Sequence, residues 1–173
     1  MYQVVALSAL VRRSVGPIDI LVNNAGISIR STFLETDTDL WDRTLQIDLR
    51  APIELIRATL PGMVERGWGR VLNVTSAAGV EATPGFAAYA AAKGALVGLT
   101  LTLAAEVRTS GVQVNALSPI AMTDMLRQLP PKYLDDLVSR GVPTPEHCAD
   151  RAMKLLREDA PSGVHDMVAF GDG

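Results

Sequence analysis

The stretch Ile20-Leu-Val-Asn-Asn-Ala-Gly26 (ILVNNAG) is an apolar run that breaks abruptly into Asn, Asn, Ala and Gly. A short, continuously apolar segment closed by turn residues predicts a buried parallel strand, here Ile18–Val22, opening onto a loop of small side chains. Such a loop suits close approach of a flat ligand such as a nucleotide. Nucleotide-binding α/β folds usually carry a Gly-rich phosphate loop on their first strand, well upstream of a segment of this kind. Only Met1 to Val22 precede the small-residue loop here, and they contain no such glycine cluster.

Working outward, helical and β-branched stretches alternate. Val4, Leu7, Leu10 or Val11, and Val15 fall on one face of a helix at about Tyr2–Ser14. This segment lacks the basic start of a signal peptide, since Arg12 and Arg13 follow its apolar part. Downstream, a long helical region is expected from about Asp39 to Arg66, capped by Thr38 and bent or divided by Pro52 and Pro61. Strands follow at Arg70–Val74 and Val112–Leu117, with a helix at Phe86–Thr109 between them. That helix is weakly polar, but Lys93, Glu106 and its Thr and Gly residues mark a buried helix rather than a membrane span. One or two short helices are expected within Met122–Arg140. A helix beginning at Pro145, with Thr144 as cap and Glu146 in its first turn, leads to a last strand in Ser162–Phe170. The fold class is α/β: a single domain over residues 1–173, with a parallel sheet of about four strands and helices on both faces.

Composition narrows the function. The chain has 173 residues, 48% hydrophobic and 20% charged, which are globular values. A net charge of -3 gives no electrostatic footprint for nucleic acid. Cys148 is the only cysteine, which favours a reducing, cytoplasmic compartment, and no metal is expected because Cys148, His147 and His165 lack zinc-type spacing.

Ligands in such sheets sit beyond the carboxyl ends of the strands. This directs attention to Asn23–Gly26, Thr75–Ser76 and Leu117–Thr123. The helix after Ser76 adds Tyr89 and Lys93, four residues apart on one face. A phenol beside an ammonium is an acid–base device. Lowering a Tyr pKa by about 2 units takes roughly 2.7 kcal/mol of differential stabilisation, which a close, partly buried ammonium can supply. An amphipathic helix with a snorkelling lysine would give the same spacing. Lys93, however, interrupts the small apolar run AYAAAKGALVG, where burying it without a partner would cost several kcal/mol.

Taken together, LVNNAG (from Leu21), NVTSAAG (from Asn73), YAAAK (from Tyr89) and VNALSP (from Val114) with a following Thr123 resemble short-chain dehydrogenase/reductases in order and spacing, over essentially the whole chain. The resemblance implies a Rossmann-like fold, an NAD or NADP cofactor and a small-molecule carbonyl or alcohol substrate. It assigns Ser76 to binding the reacting carbonyl and Tyr89 to proton transfer. Lys93 would tune Tyr89 and hold the nicotinamide ribose. Asn23, Ala25 and Gly26 would lie beside the cofactor, and Pro119, Ile120 and Thr123 would cover the nicotinamide and phosphates.

Three departures follow from the comparison with the family pattern. The Gly-rich loop is missing, so the chain is expected to be a truncated form lacking the first βαβ portion, as an incomplete reading frame would give, with impaired cofactor binding. Asp48 stands where the family typically has Asn in a proton relay to the lysine; ionised, it would pair with Lys93 but oppose tyrosinate formation. Ile120 stands where many relatives have Gly. Two further readings stay open: a cofactor-independent isomerase, dehydratase or cyclase reusing Ser76, Tyr89 and Lys93, and a non-catalytic partner subunit. Self-association is expected, because the strand at Ile18–Val22 would become an exposed edge.

Overall fold

The computed structural model describes residues 2–127 and 131–171. Four strands, β1 (Ile20–Asn23), β2 (Gly69–Val74), β3 (Val112–Ser118) and β4 (His165–Met167), form one parallel sheet in the order β1-β2-β3-β4. The helices are α1 (Tyr2–Ser14), α2 (Thr38–Leu45), α3 (Ala51–Arg66), α4 (Ala87–Glu106), α5 (Asp124–Arg127), α6 (Pro131–Ser139) and α7 (Pro145–Leu156). Of the expected short-helix region, residues 128–130 lie outside the described residues.

Successive residues of β2 feed two cores. Val71 packs with Leu21, Ile56, Met63, Ala104, Val112 and Val114, between the sheet and α3 and α4. Leu72 turns the other way, onto Leu117, Cys148, Leu155 and Val168 beneath α7. This is the two-faced burial expected of a parallel sheet. At β1 only one face is covered: Leu21 and Asn23 point inward, while Ile20 and Val22 are 48% and 46% exposed. Helix α7 packs against β2 and β3, and α1 packs against α3, leaving Leu7 and Leu10 of its expected inner face exposed.

The long helical region divides before Pro52 and runs on through Pro61. Between α2 and α3, Gln46–Arg50 forms a π-turn, in which the Ala51 N–H reaches the Gln46 carbonyl. Pro52 has no N–H to offer the Asp48 carbonyl in α-helical register, so the wider turn forgoes no hydrogen bond there. Asp37, one residue before the expected cap, caps α2 by accepting the Leu40 N–H at 2.7 Å. Thr144 caps α7 as expected, accepting from His147 N at 3.2 Å.

Helix α4 is the one described helix long and apolar enough to cross a membrane. Here it is a core helix, burying Ala88, Ala92, Lys93, Leu96, Val97, Thr100 and Ala104.

Candidate active site

The carboxyl ends of β1, β2 and β3 open into a cleft of ≈ 880 Å³. The loop after β1 contributes Asn24, Ala25 and Gly26, that after β2 contributes Ser76, and α4 contributes Tyr89 and Lys93; Pro119, Ile120 and Thr123 after β3 close the far side. Nearly every residue singled out from the sequence therefore meets at one place.

Ser76 and Tyr89 are brought together by a backbone contact between two glycines. A methyl group at Gly79 would meet Gly94 N at 2.6 Å, and one at Gly94 would meet the Gly79 carbonyl oxygen at 2.7 Å. The short 3₁₀ turn Ala77–Gly79 thus seats directly on α4, beside Lys93 and five residues along from Tyr89. Ser76 caps that turn, accepting the Ala78 N–H at 3.2 Å. Its side chain also acts on the Tyr89 phenol, lowering its pKa against the effect of burial.

Lys93 is 4% exposed; its Nζ donates to the Val74 carbonyl at 2.9 Å and stands 5.6 Å from the centre of the Tyr89 ring. Burial pushes the ammonium below its usual range, and the Asp48 charge opposes this. Burial likewise pushes the Tyr89 phenol above its ordinary value, against the lowering effect of Ser76, and Asp48 adds to the rise. The expected lowering of Tyr89 by Lys93 is not among the influences on its phenol. Burial is the largest influence on the phenol, and the Lys93 ammonium is engaged by the Val74 carbonyl.

Asp48 is fully buried behind Gly26 rather than in the cleft. One carboxylate oxygen accepts the Ile27 N–H at 2.8 Å; the other has no partner. Burial pushes this carboxyl above the usual range, opposed by the Ile27 amide and by Lys93. Asn23 is placed differently from the expectation. Strand alternation turns it inward, where its amide donates to Asn73 at 2.8 Å, and Asn73 in turn donates to Thr100 on α4 at 2.9 Å. Asn23 thus ties β1 to β2, and its neighbour Asn24 faces the cleft.

Supporting contacts steady the far wall. Thr75, Ser118 and His165 join the ends of β2, β3 and β4, with Ser118 Oγ 2.8 Å from Thr75 Oγ1 and 2.7 Å from His165 Nε2. The Cys148 thiol donates to the Ile120 carbonyl at 3.4 Å, fastening the loop after β3 to α7. Among the described residues, no three His, Cys, Asp or Glu side chains gather to hold a metal. Sequence reasoning missed Ser28, Ile29, Arg30, Thr83 and Phe86, which also line the cleft. They belong to the loops flanking the recognised motifs, and strand-end position is the signal that reaches them.

Residues 1–134 match the family described as short chain dehydrogenase. The chain belongs to the short-chain dehydrogenase/reductase family. It is 34% identical over 182 residues to a D-beta-hydroxybutyrate dehydrogenase of Rhizobium meliloti, a match covering 94% of this chain and 70% of that protein. It is 38% identical to a protein of Xanthobacter autotrophicus named inactive 2-(S)-hydroxypropyl-CoM dehydrogenase 2, covering 91% of this chain and 73% of the relative. A gluconate 5-dehydrogenase of Burkholderia cenocepacia, crystallised with NADP and tartrate, superposes with a TM-score of 0.92 at 30% identity. That superposition covers 98% of this chain and 70% of the dehydrogenase. Among eight of the curated relatives it matches, this short-chain dehydrogenase/reductase chain spans from 46% to 73% of their length.

Proposed function

We propose that the cleft carries out hydride-transfer chemistry on a small carbonyl or alcohol, with Tyr89 as its acid–base residue. The observation that carries this reading is the convergence of Ser76, Tyr89 and Lys93 beside Gly26 in one cleft. In the reducing direction, the Ser76 hydroxyl donates a hydrogen bond to the substrate oxygen and orients it. The Tyr89 hydroxyl gives up its proton to that oxygen as negative charge develops there. Lys93 then stabilises the resulting tyrosinate by charge. In the oxidising direction the same proton returns to Tyr89.

The residues present fit the nicotinamide–ribose end of NAD or NADP. A methyl group at Gly26 would lie 3.0 Å from Asp48 Oδ1 and 3.3 Å from Lys93 Nζ, so the bare glycine keeps this wall open to close approach. Lys93 spends one N–H on Val74 and keeps donors for ribose hydroxyls. A bound dinucleotide would supply or accept the hydride. The sequence offers no Gly-rich loop to cradle its pyrophosphate.

A cytoplasmic site of action and self-association belong to the same reading. The first rests on the single, buried Cys148, and fractionation of the native host cell tests it. The second rests on the open edge of β1 and on the outward residues Ala91, Ala95, Gly98 and Leu101 of α4.

The experiment is Tyr89→Phe, read by turnover of ketone and alcohol panels alongside NADH and NADPH titrations. We expect turnover to fall by about 10²-fold or more with unchanged folding, and the 173-residue chain to bind nucleotide weakly. Near wild-type turnover in the variant overturns the assignment of Tyr89.

A further inference from the structure

The charge balance of the cleft wall departs from that of the molecule. The chain carries a net charge of -3, yet the described residues lining the cleft include Arg30 and Lys93 and no Asp or Glu. Lys93 is buried and bonded to the strand end. Arg30 is at the exposed rim, on the loop that follows the small-residue turn after β1.

Its position is built rather than incidental. The neighbouring Ser31 N–H donates to the Gly85 carbonyl at 2.9 Å, and Ser31 bridges Phe86 in parallel, one residue before α4 begins. Gly85 has φ +87, and a methyl group there would stand 3.2 Å from Arg30 Cγ and 3.4 Å from its Nε. The Arg30 stem therefore lies across the bare Gly85 backbone. This lashing fixes the rim arginine relative to the first turn of α4, which carries Tyr89. Apolar Ile29, Phe86, Ile120 and Leu126 line the cleft with Arg30.

We propose that Arg30 is a substrate-binding residue, recognising an anionic oxygen group, a carboxylate or a phosphate, on a carbonyl or alcohol substrate. This rests on the reading of the cleft given above and narrows its substrate class. The reacting carbon sits at Ser76 and Tyr89, the short carbon skeleton lies against the apolar wall, and the anionic end reaches the rim. A planar guanidinium suits such a group because it binds two oxygens in a fork.

Direct binding tests this without requiring turnover. Two matched probe pairs are titrated by calorimetry: levulinate against its methyl ester, and dihydroxyacetone phosphate against dihydroxyacetone. Wild-type protein is expected to prefer the anion of at least one pair by about ten-fold or more, as a charge-assisted hydrogen bond provides. The pair with the larger ratio identifies carboxylate or phosphate as the recognised group. Arg30→Gln should abolish that preference while leaving affinity for the neutral twin unchanged, and Arg30→Lys should retain part of it. Absence of an anion preference in wild type, or its survival in Arg30→Gln, overturns the proposal. Turnover by Tyr89→Phe addresses the catalytic reading separately, so the failure of one is distinguishable from the failure of the other.

Discussion

Replacing Asp48 by Asn should stabilise the protein at neutral and alkaline pH. Asp48 is fully buried, and one carboxylate oxygen has no hydrogen-bond partner. Burial raises its folded pKa above the ordinary aspartate range, so the folded state resists ionisation more than the unfolded chain does. The sign follows by linkage: the folded state loses stability as pH rises from the unfolded pKa through the folded one, and regains it in acid. Asn preserves the acceptor for the Ile27 N–H and removes the buried charge, but its NH₂ group inherits the unpartnered position. Leaving a buried polar atom unsatisfied costs about 1–3 kcal/mol, more if it is charged, so the net gain should be about 1 kcal/mol. For a chain of this size, that is a rise in Tm of about 2–4 °C. Thermal unfolding at mildly alkaline pH and again near pH 4 is the assay, and the advantage should shrink in acid. Removing the charge also removes an influence that holds the Tyr89 phenol up, so tyrosinate absorbance should appear at lower pH in the variant. A destabilised variant, or a gain that does not change with pH, would refute this account of Asp48.

Lys93→Met should keep stability within about 1 kcal/mol of wild type, because the buried stem is replaced and the desolvated charge is removed; denaturant melts check this, and turnover should be lost. Gly79→Ala should destabilise by about 1–3 kcal/mol, since the added methyl meets backbone at 2.6 Å, and it should displace Ser76 from Tyr89. Gly98→Ala is its control: nothing lies within 4 Å of the added methyl, and helix propensity predicts a gain approaching about 1 kcal/mol. Light scattering over a range of concentrations should find dimers or larger species, and a stable monomer at high concentration would count against the association proposed for β1 and α4.

The cleft was legible because its chemistry is written at the ends of strands. Asn23 to Gly26, Thr75 to Ser76 and Leu117 to Thr123 are the stretches to inspect, and the sheet gathers Asn24–Gly26, Thr75, Ser76, Pro119, Ile120 and Thr123 from them at one edge. The inward turn of Asn23 was also within reach, since strand alternation places it on the same side as Leu21. Other features depend on distance in space. The seating of Gly79 on Gly94 joins segments fifteen residues apart, and no local pattern announces it. The direction of the Tyr89 shift depends on how far burial outweighs its neighbours, which requires knowing what covers the ring. The break before Pro52 could be anticipated only as one of two proline sites.

Strand order in space repeats strand order in the chain. Each described strand after β1 therefore docks onto an edge that already exists when it is synthesised, and among the described strands none waits for a later one to be inserted between earlier neighbours. The sheet is in this sense suited to assembly as the chain emerges, with β1 and β2 forming the platform. It should loosen in the reverse direction. β4 has three residues and is fastened at its side-chain level by the Arg151–Asp166 ion pair and by the His165–Ser118 hydrogen bond. Amide hydrogen exchange should accordingly release β4 before β2, and equal protection of the two strands would contradict this order.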